Sequence, residues 1–139
     1  MSFDLAKFEK ELSFDFEQAF PLEIRHPITG DKTGLVVEIV SYRSERVKRV
    51  QRRLANAAIR ENKKNPKKVG TVEEVEERTN EIVAASIVSW NMTRDGAAVE
   101  CTPENILQII SDPRYFFIAE QVDKAADEDA NFTKRSQRT

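Results

Sequence analysis

The stretch TVEEVEERTNEIVAASIVSW, residues 71–90, predicts the element around which the chain folds. Thr71 and Glu74 have the spacing of a capping box, in which each side chain accepts a hydrogen bond from the other residue's backbone N–H group. We therefore expect a helix that begins after Thr71 and continues to Trp90. Residues 82–88 are apolar on nearly all sides of this helix, so its second half should lie in the centre of the core. The expected inner face consists of Val75, Thr79, Ile82, Ser86, Ile87 and Trp90.

Two β-rich runs upstream of this helix predict a β-hairpin. They occupy residues 20–26 and 35–42. The turn-forming residues between them are Pro27, Gly30, Asp31 and Gly34. The second run is almost continuously apolar, with Glu38 as its polar exception, so we expect cover over much of both its faces. Helices are the available cover.

Two further helices flank the hairpin in the sequence. Between residues 3 and 16, apolar side chains recur every three or four residues, which indicates a short amphipathic helix. Ser44 can cap a second helix, which should end near Asn62. The expected buried stripe of that helix consists of Val47, Val50, Leu54, Ala57 and Ala58.

Two helix starts marked by proline predict the last part of the chain. Thr102 precedes Pro103, and Asp112 precedes Pro113, so each proline follows a capping residue and occupies the first helical position. The side chains expected to point inward from these two helices are Ile106, Leu107, Ile109, Ile110, Phe117, Ile118, Gln121, Val122 and Ala125.

Together these elements predict an α+β fold, a mainly helical single domain in which one β-hairpin packs against four or five helices. A length of 139 residues is in the usual range for one domain. We expect a short amphipathic helix within residues 1–18, the hairpin and helical domain in residues 19–132, and a disordered tail in residues 133–139. The chain becomes polar from Asp127 onward, and we expect it to fray there.

The composition favours a cytoplasmic protein. The formal net charge is −2, and 33% of the residues are charged. No apolar run reaches the length of a membrane span, and residues 1–10 contain too many charges for a signal peptide. Cys101 is the single cysteine, which suits a reducing compartment. We therefore expect no membrane partner.

His26 and Cys101 are the candidates for catalysis, and no catalytic motif surrounds either of them. His26 precedes a proline in the hairpin loop, and Cys101 lies beside a helix start. The glycines lack the spacing of a phosphate-binding loop, and a structural zinc site needs four ligands. We therefore expect no enzyme, no catalytic residue, no cofactor and no metal. A small enzyme in which folding pairs Cys101 with His26 is the alternative.

Residues 43–68 form the one strongly basic segment, with eleven basic and two acidic side chains. Its helix could dock on an acidic protein or could simply present a solvated charged face. Arg49, Arg52 and Arg53 are the candidate partner-binding residues. A small nucleic-acid-binding regulator is the alternative, with binding that falls steeply as salt rises. No aromatic side chain for base stacking lies within the segment, so nucleic acid is the less favoured partner.

Phe116 and Phe117 are candidates for a second partner surface. Adjacent side chains on a helix point about 100° apart, so both cannot occupy the centre of one buried stripe. Core packing explains the pair most simply, and an interface that includes one of the two rings is the alternative.

The order of several motifs resembles the tail assembly chaperones of long-tailed bacteriophages. The resemblance covers residues 20–132 and begins with the hairpin. A helix that ends in Ile-Val-Ser-Trp-Asn (residues 87–91) comes next, followed by a turn at Asp95 and Gly96. The sequence Thr-Pro-Glu-Asn-Ile (residues 102–106) completes the pattern. Trp90, Asp95, Gly96, Thr102 and Pro103 are expected to form the fold, and the basic segment lies outside the pattern.

This resemblance implies a chaperone without catalytic residues, active in the host cytoplasm and absent from the mature virion of a siphovirus. Such proteins bind the tape measure protein and keep its long apolar helical chain soluble until tail-tube subunits polymerise around it. Many exist also as a longer form, made by ribosomal frameshifting, whose extension recruits tail-tube protein. The polar end of this chain is compatible with such an extension. Self-association is expected as well, since head-to-tail contacts around a client would bury apolar stripes reversibly.

Overall fold

The computed structural model of the chain describes residues 2–67 and 70–133, and it contains the predicted hairpin and helices. The helices are α1 (Leu5–Glu11), α2 (Glu45–Lys64), α3 (Val72–Ser86), α4 (Pro103–Ser111) and α5 (Phe116–Ala126). The strands are β1 (Phe20–Arg25), β2 (Lys32–Ile39), β3 (Ile87–Trp90), β4 (Thr93–Arg94) and β5 (Ala97–Ala98). The expected fold class is confirmed, since one mainly helical α+β domain packs the hairpin against helices.

Strands β1, β2 and β3 form an antiparallel sheet in that order. The fully buried side chains on its inner face are Ile24, Val37, Ile39 and Ile87. Helix α5 packs against β1 and β2, whereas the outer face exposes Glu23 and Glu38. The expectation that much of both faces of β2 would be covered holds only in part, because Val36 is half-buried and Val40 is buried, whereas Glu38 is exposed. One face stays in contact with solvent, as an antiparallel sheet allows.

The start of α3 is as predicted. The Thr71 hydroxyl oxygen accepts a hydrogen bond from the backbone N–H of Glu74 over 3.1 Å. Val83 and Ser86 are buried near the end of the helix, so its second half does lie in the core. Val75 and Thr79, which were expected to face inward, are exposed because no described element covers the first turns of α3 on that side.

The end of α3 differs from the prediction, because residues 87–90 form strand β3 and not the last turn of a helix. The helix ends at Ser86, whose carbonyl oxygen accepts a hydrogen bond from the N–H of Val40 over 2.8 Å. Strand β3 then pairs with β2, with Trp90 opposite Val37. The backbone N–H and C=O groups along the buried edge of β2 need hydrogen-bond partners, and residues 87–90 supply them as a strand. The apolar pattern of these four residues suits a short strand as well as a helix, so it did not decide between the two.

Helix α2 begins as predicted and ends slightly later, at Lys64. The Ser44 hydroxyl oxygen accepts a hydrogen bond from the N–H of Val47 over 3.4 Å. Val47 is fully buried, and the other members of the predicted stripe are half-buried except for Ala57, which is exposed. Helix α1 is shorter than predicted and has no buried side chain.

Helix α4 begins at the predicted cap, where the Thr102 hydroxyl accepts a hydrogen bond from the N–H of Asn105 over 3.2 Å. Ile106, Ile109 and Ile110 are buried, but the prediction for Leu107 is wrong, since this side chain is 36% exposed. The cap at Asp112 opens a 3-10 turn, Pro113–Tyr115, and α5 begins only after it.

The chain does not fray at Asp127, contrary to the expectation. A second 3-10 turn, Asp129–Phe132, follows α5 and places the Phe132 side chain in the core. The carbonyl oxygen of Phe132 accepts a hydrogen bond from the N–H of Asp15 over 2.7 Å, and Thr133 forms a β-bridge with Phe14. Apart from Thr133, the expected tail in residues 133–139 lies outside the described residues. Polar composition was misleading here because one large apolar side chain is enough to anchor the segment.

The substitution Phe132→Ala tests this anchor. Phe132 is fully buried, and its ring meets the Phe20 ring edge to face with the two ring centres 6.1 Å apart. Its removal should lower the free energy of unfolding by about 3–5 kcal/mol, as for other buried phenylalanines. Urea denaturation followed by circular dichroism measures the change.

Phe3→Ala is the matched control, because the Phe3 side chain is 73% exposed. We expect this variant to change stability by less than about 0.5 kcal/mol. Equal, small effects of both substitutions would contradict a structural role for the segment that follows α5.

Candidate functional site

The five residues expected to form the fold do have structural roles. Strands β4 and β5 form a hairpin whose turn consists of two residues, Asp95 and Gly96, with φ values of 50° and 81°. Positive φ at both central positions is the requirement of a type I′ turn, which explains the Asp-Gly pair. The Trp90 indole N–H donates to the carbonyl oxygen of Val99 over 2.7 Å, and this bond holds the small hairpin against β3. Thr102 and Pro103 begin α4 as described above.

His26 and Cys101 occupy separate places and take part in local hydrogen bonds. The His26 Nδ1 atom accepts hydrogen bonds from the backbone N–H groups of Ile28 (3.1 Å) and Thr29 (3.2 Å), so it organises the hairpin loop. The Cys101 thiol lies 3.8 Å from the carbonyl oxygen of Val88. Partial burial raises the pKa of Cys101, which disfavours the thiolate. No hydrogen bond joins the two side chains within the part of the chain that the structure describes.

The three arginines proposed for partner binding lie on α2 and already have acidic neighbours. Arg52 forms an ion pair with Glu45 over 2.9 Å, and Arg49 approaches the same carboxylate to 3.8 Å. Arg53 pairs with Glu81 of α3 over 2.9 Å. These contacts leave the arginines more than half exposed. They reduce the local positive charge available to phosphates without removing it.

A solvent-open groove lies between α2, α3 and α4. Its volume is about 410 Å³. The lining side chains are Arg46, Val50, Arg53, Glu81, Ala84, Ala85, Pro103, Ile106 and Leu107. The floor and one wall are apolar, and the charged side chains lie along the α2 and α3 sides. We call this feature the α2–α4 groove.

The shape of the α2–α4 groove follows from two local features. Ala84 and Ala85 lie on α3 at the point where it passes between α2 and α4, and their small side chains leave room beside the helix. Leu107 stays exposed at the rim because the adjacent position, Ile106, takes the inward direction of α4. Sequence periodicity counted Leu107 as a core residue and did not indicate the groove. An Ala-Ala pair in the apolar second half of α3 is the signal that could have suggested it.

A second groove, which we call the α3–α5 groove, lies between the first half of α3, the end of α4 and the start of α5. It contains Phe116, which is 51% exposed, whereas Phe117 is half-buried and packs against the core. The two rings meet edge to face with their centres 5.9 Å apart. Of the two candidate aromatic residues, the structure therefore places Phe116 at the surface.

Other features of the described residues bear on site chemistry. No group of three or more His, Cys, Asp or Glu side chains in residues 2–67 and 70–133 is arranged to hold a metal ion. Within the same residues, no helix has both the length and the apolar character needed to cross a membrane.

Tyr42 donates a hydrogen bond to Asp123 over 2.5 Å, and burial together with this bond raises the pKa of Tyr42 above its usual range.

No known protein family, curated protein sequence or solved structure matches this chain. The candidate sites therefore rest on their own geometry and chemistry.

The reactivity of Cys101 provides a direct measurement at one of the candidate residues. Since partial burial raises the pKa of the thiol, the thiolate fraction at pH 8 should be lower in the folded chain than in an unfolded one. We expect Ellman's reagent to react more slowly with the native protein than with the protein in urea. A native rate equal to or above the unfolded rate would instead indicate an activated cysteine and favour the small-enzyme alternative.

Proposed function

We propose that this protein is a tail assembly chaperone of a long-tailed bacteriophage and that it binds helices of the tape measure protein in the α2–α4 groove. The observation that supports this proposal is an open groove with an apolar floor between α2, α3 and α4. The order of motifs that resembles this family of chaperones supports it independently.

The α2–α4 groove suits an amphipathic helix. Helix-in-groove recognition places apolar side chains at three- and four-residue spacing into a cleft between other helices. Ala84 and Ala85 let a client helix approach α3 closely, and Leu107 supplies an apolar contact at the rim. A tape measure protein offers many such helices in succession, so each contact can be weak.

The charges around the groove fit a client helix whose apolar stripe lies between polar flanks. Arg46 and Arg53 line the α2 side, and Glu81 lines the α3 side. The Arg46 guanidinium donates to the carbonyl oxygen of Ile87 over 3.0 Å, which holds this side chain in place. Both signs of charge therefore border the groove, and they keep the occupied surface hydrated and soluble.

Recruitment of tail-tube protein belongs to the same proposal through the family resemblance. It would fall to a longer, frameshifted form of the chain. This form would carry the same client groove followed by a further segment.

The substitution Leu107→Asp tests the client groove. A carboxylate at the rim must be desolvated beside an apolar client stripe, so we expect client binding to weaken by about tenfold or more. Co-expression with a phage tape measure protein should give a soluble client with the unaltered chain and a largely insoluble one with the variant. The soluble fraction is measured by sedimentation and gel densitometry.

Ile28→Asp is the matched control. Ile28 lies at the tip of the hairpin and is 88% exposed, so this variant introduces the same charge away from the groove. It should solubilise the client as well as the unaltered chain does. Thermal unfolding of both variants checks that the folded state persists.

Two results would count against the proposal. A client that stays insoluble with the unaltered chain would remove the chaperone function itself. Salt-sensitive binding of DNA or RNA that is lost on reversal of Arg49, Arg52 and Arg53, together with an insoluble client, would favour the nucleic-acid-binding regulator.

A further inference from the structure

A small polar pocket lies where the β4–β5 hairpin meets α4 and the 3-10 turn before α5. Its volume is about 270 Å³, and it is more enclosed than the α2–α4 and α3–α5 grooves. The polar side chains that line it are Arg94, Asn105, Gln108, Asp112, Arg114 and Tyr115. Sites for drug-sized ligands occupy about 300–1,000 Å³, so this pocket suits a smaller molecule or an ion. We call it the Arg94 pocket.

Two of these side chains, Asp112 and Arg114, already neutralise each other. The Arg114 Nε atom lies 3.1 Å and 3.2 Å from the two carboxylate oxygens of Asp112, and Nη2 donates to Oδ2 over 2.7 Å. The pKa of Asp112 is lowered by these bonds, so its carboxylate stays charged and bound. The Arg114 guanidinium also lies over the Tyr115 ring, 5.3 Å from the ring centre. These contacts fix Arg114 and leave its Nη1 atom without an acceptor among the described residues.

Arg94 supplies a second positive charge to the same pocket. Its guanidinium forms no hydrogen bond or ion pair with any residue in 2–67 or 70–133. The backbone position is set by the β4–β5 hairpin, in which Arg94 pairs with Ala97. The charge of Arg94 contributes to the lowered pKa of Asp112, which places the guanidinium near the ion pair. Two arginines and one aspartate give the pocket a net charge of +1.

The neutral side chains add further donors. Neither the Gln108 amide nor the Tyr115 hydroxyl forms a side-chain hydrogen bond within the part of the chain that the structure describes. The Asn105 amide, by contrast, donates to the carbonyl oxygen of Glu100 over 2.9 Å. The pocket therefore combines several unused N–H and O–H donors with a single carboxylate that is already bound. A ligand that accepts hydrogen bonds and carries negative charge matches this set.

We propose that the Arg94 pocket binds a small oxyanion, namely a carboxylate or phosphate group on a small molecule or free ion, with Arg94 as the main anchor. A guanidinium presents paired N–H groups that match two oxygens of such a group at once. Gln108 and Tyr115 can donate to the remaining oxygens. One negative charge on the ligand neutralises the net charge of the pocket, and a cation is disfavoured because Asp112 is occupied.

This site is separate from the α2–α4 groove. Helix α4 contributes Asn105, Gln108 and Asp112 to the Arg94 pocket, whereas it contributes Ile106 and Leu107 to the groove. No side chain lines both. The inference therefore goes beyond the proposed function and does not depend on it.

Titration with sodium phosphate and, separately, with sodium acetate tests the site. The chain is labelled with ¹⁵N, and the ionic strength is held constant with sodium chloride while NMR spectra are recorded. We expect saturable shifts of the Arg94 and Gln108 signals with a Kd of about 1–10 mM, the affinity that a few charge-assisted hydrogen bonds provide. Binding of either anion supports the proposal, and the tighter of the two identifies the preferred group.

Substitutions of Arg94 test its role as the anchor. Arg94→Gln should raise the Kd by about tenfold or more, because it removes both the unpaired charge and the paired donors. Arg94→Lys keeps the charge but presents no planar pair of N–H groups, so it should bind more weakly than the unaltered chain. Arg94 is exposed, and thermal unfolding verifies that both variants stay folded.

Arg60→Gln is the matched control. Arg60 is an exposed arginine of α2 that does not line the pocket, so this variant loses the same charge elsewhere. Its Kd should stay within about twofold of the original, since salt screens distant surface charges. An equal loss of affinity in Arg60→Gln and Arg94→Gln would indicate general attraction of anions and would overturn the site.

Gln108→Met tests the neutral donors, because it keeps the length of the side chain and removes the amide. Its Kd should rise by several-fold, to a smaller extent than for Arg94→Gln. The proposal is wrong if neither anion binds at concentrations up to about 100 mM, well above the expected Kd, or if Arg94→Gln binds as tightly as the unaltered chain. Client solubilisation by the Arg94 variants should be unchanged, so a failure here is distinguishable from a failure of the proposed function.

Discussion

Strand β3 pairs with β2 directly after α3 ends, with no loop between helix and strand. Because Ser86 is the last residue of α3 and Ile87 is the first of β3, the sheet fixes the position and direction of the end of α3. Three other elements attach to the same strand. Arg46 of α2 donates to the Ile87 carbonyl oxygen over 3.0 Å, and the Trp90 indole holds the β4–β5 hairpin. The thiol of Cys101, just before α4, lies near the Val88 carbonyl oxygen. The positions of α2, α3 and α4 consequently depend on this pairing, and so do the grooves between them.

Side chains contact backbone groups at both edges of the sheet. At β3, Arg46 and Cys101 contact carbonyl oxygens that would otherwise face outward. At β1, the Gln121 amide accepts from the Arg25 N–H over 2.8 Å and donates to the Arg25 carbonyl oxygen over 2.9 Å. An amide side chain thus replaces part of a neighbouring strand. These contacts make the addition of a further strand less favourable at those positions.

Helix starts and turns could be predicted from the sequence because their causes are local. The caps at Ser44, Thr71 and Thr102 each accept a hydrogen bond from a backbone N–H group three residues away. The predictions that were wrong concern residues whose structure is decided by contacts with distant parts of the chain. Residues 87–90 suit a helix or a strand by periodicity, and only the free edge of β2 decides between them. Leu107 and Phe132 show the same limit, since a position on a helix face or in a polar segment does not indicate what packs against it. Among the candidate site residues, an exposed position was only the alternative for the Phe116 and Phe117 pair, and the structure exposes Phe116. The groove lined by Ala84 and Ala85 was not predicted.

The charge distribution explains how one nearly neutral chain can have two differently charged surfaces. Helix α2 has a net charge of +6, and α3, with five acidic and one basic side chain, has a net charge of −4. The two helices pack side by side, yet the described residues join them by the single ion pair between Arg53 and Glu81. Most of their charges consequently face outward and keep their own sign.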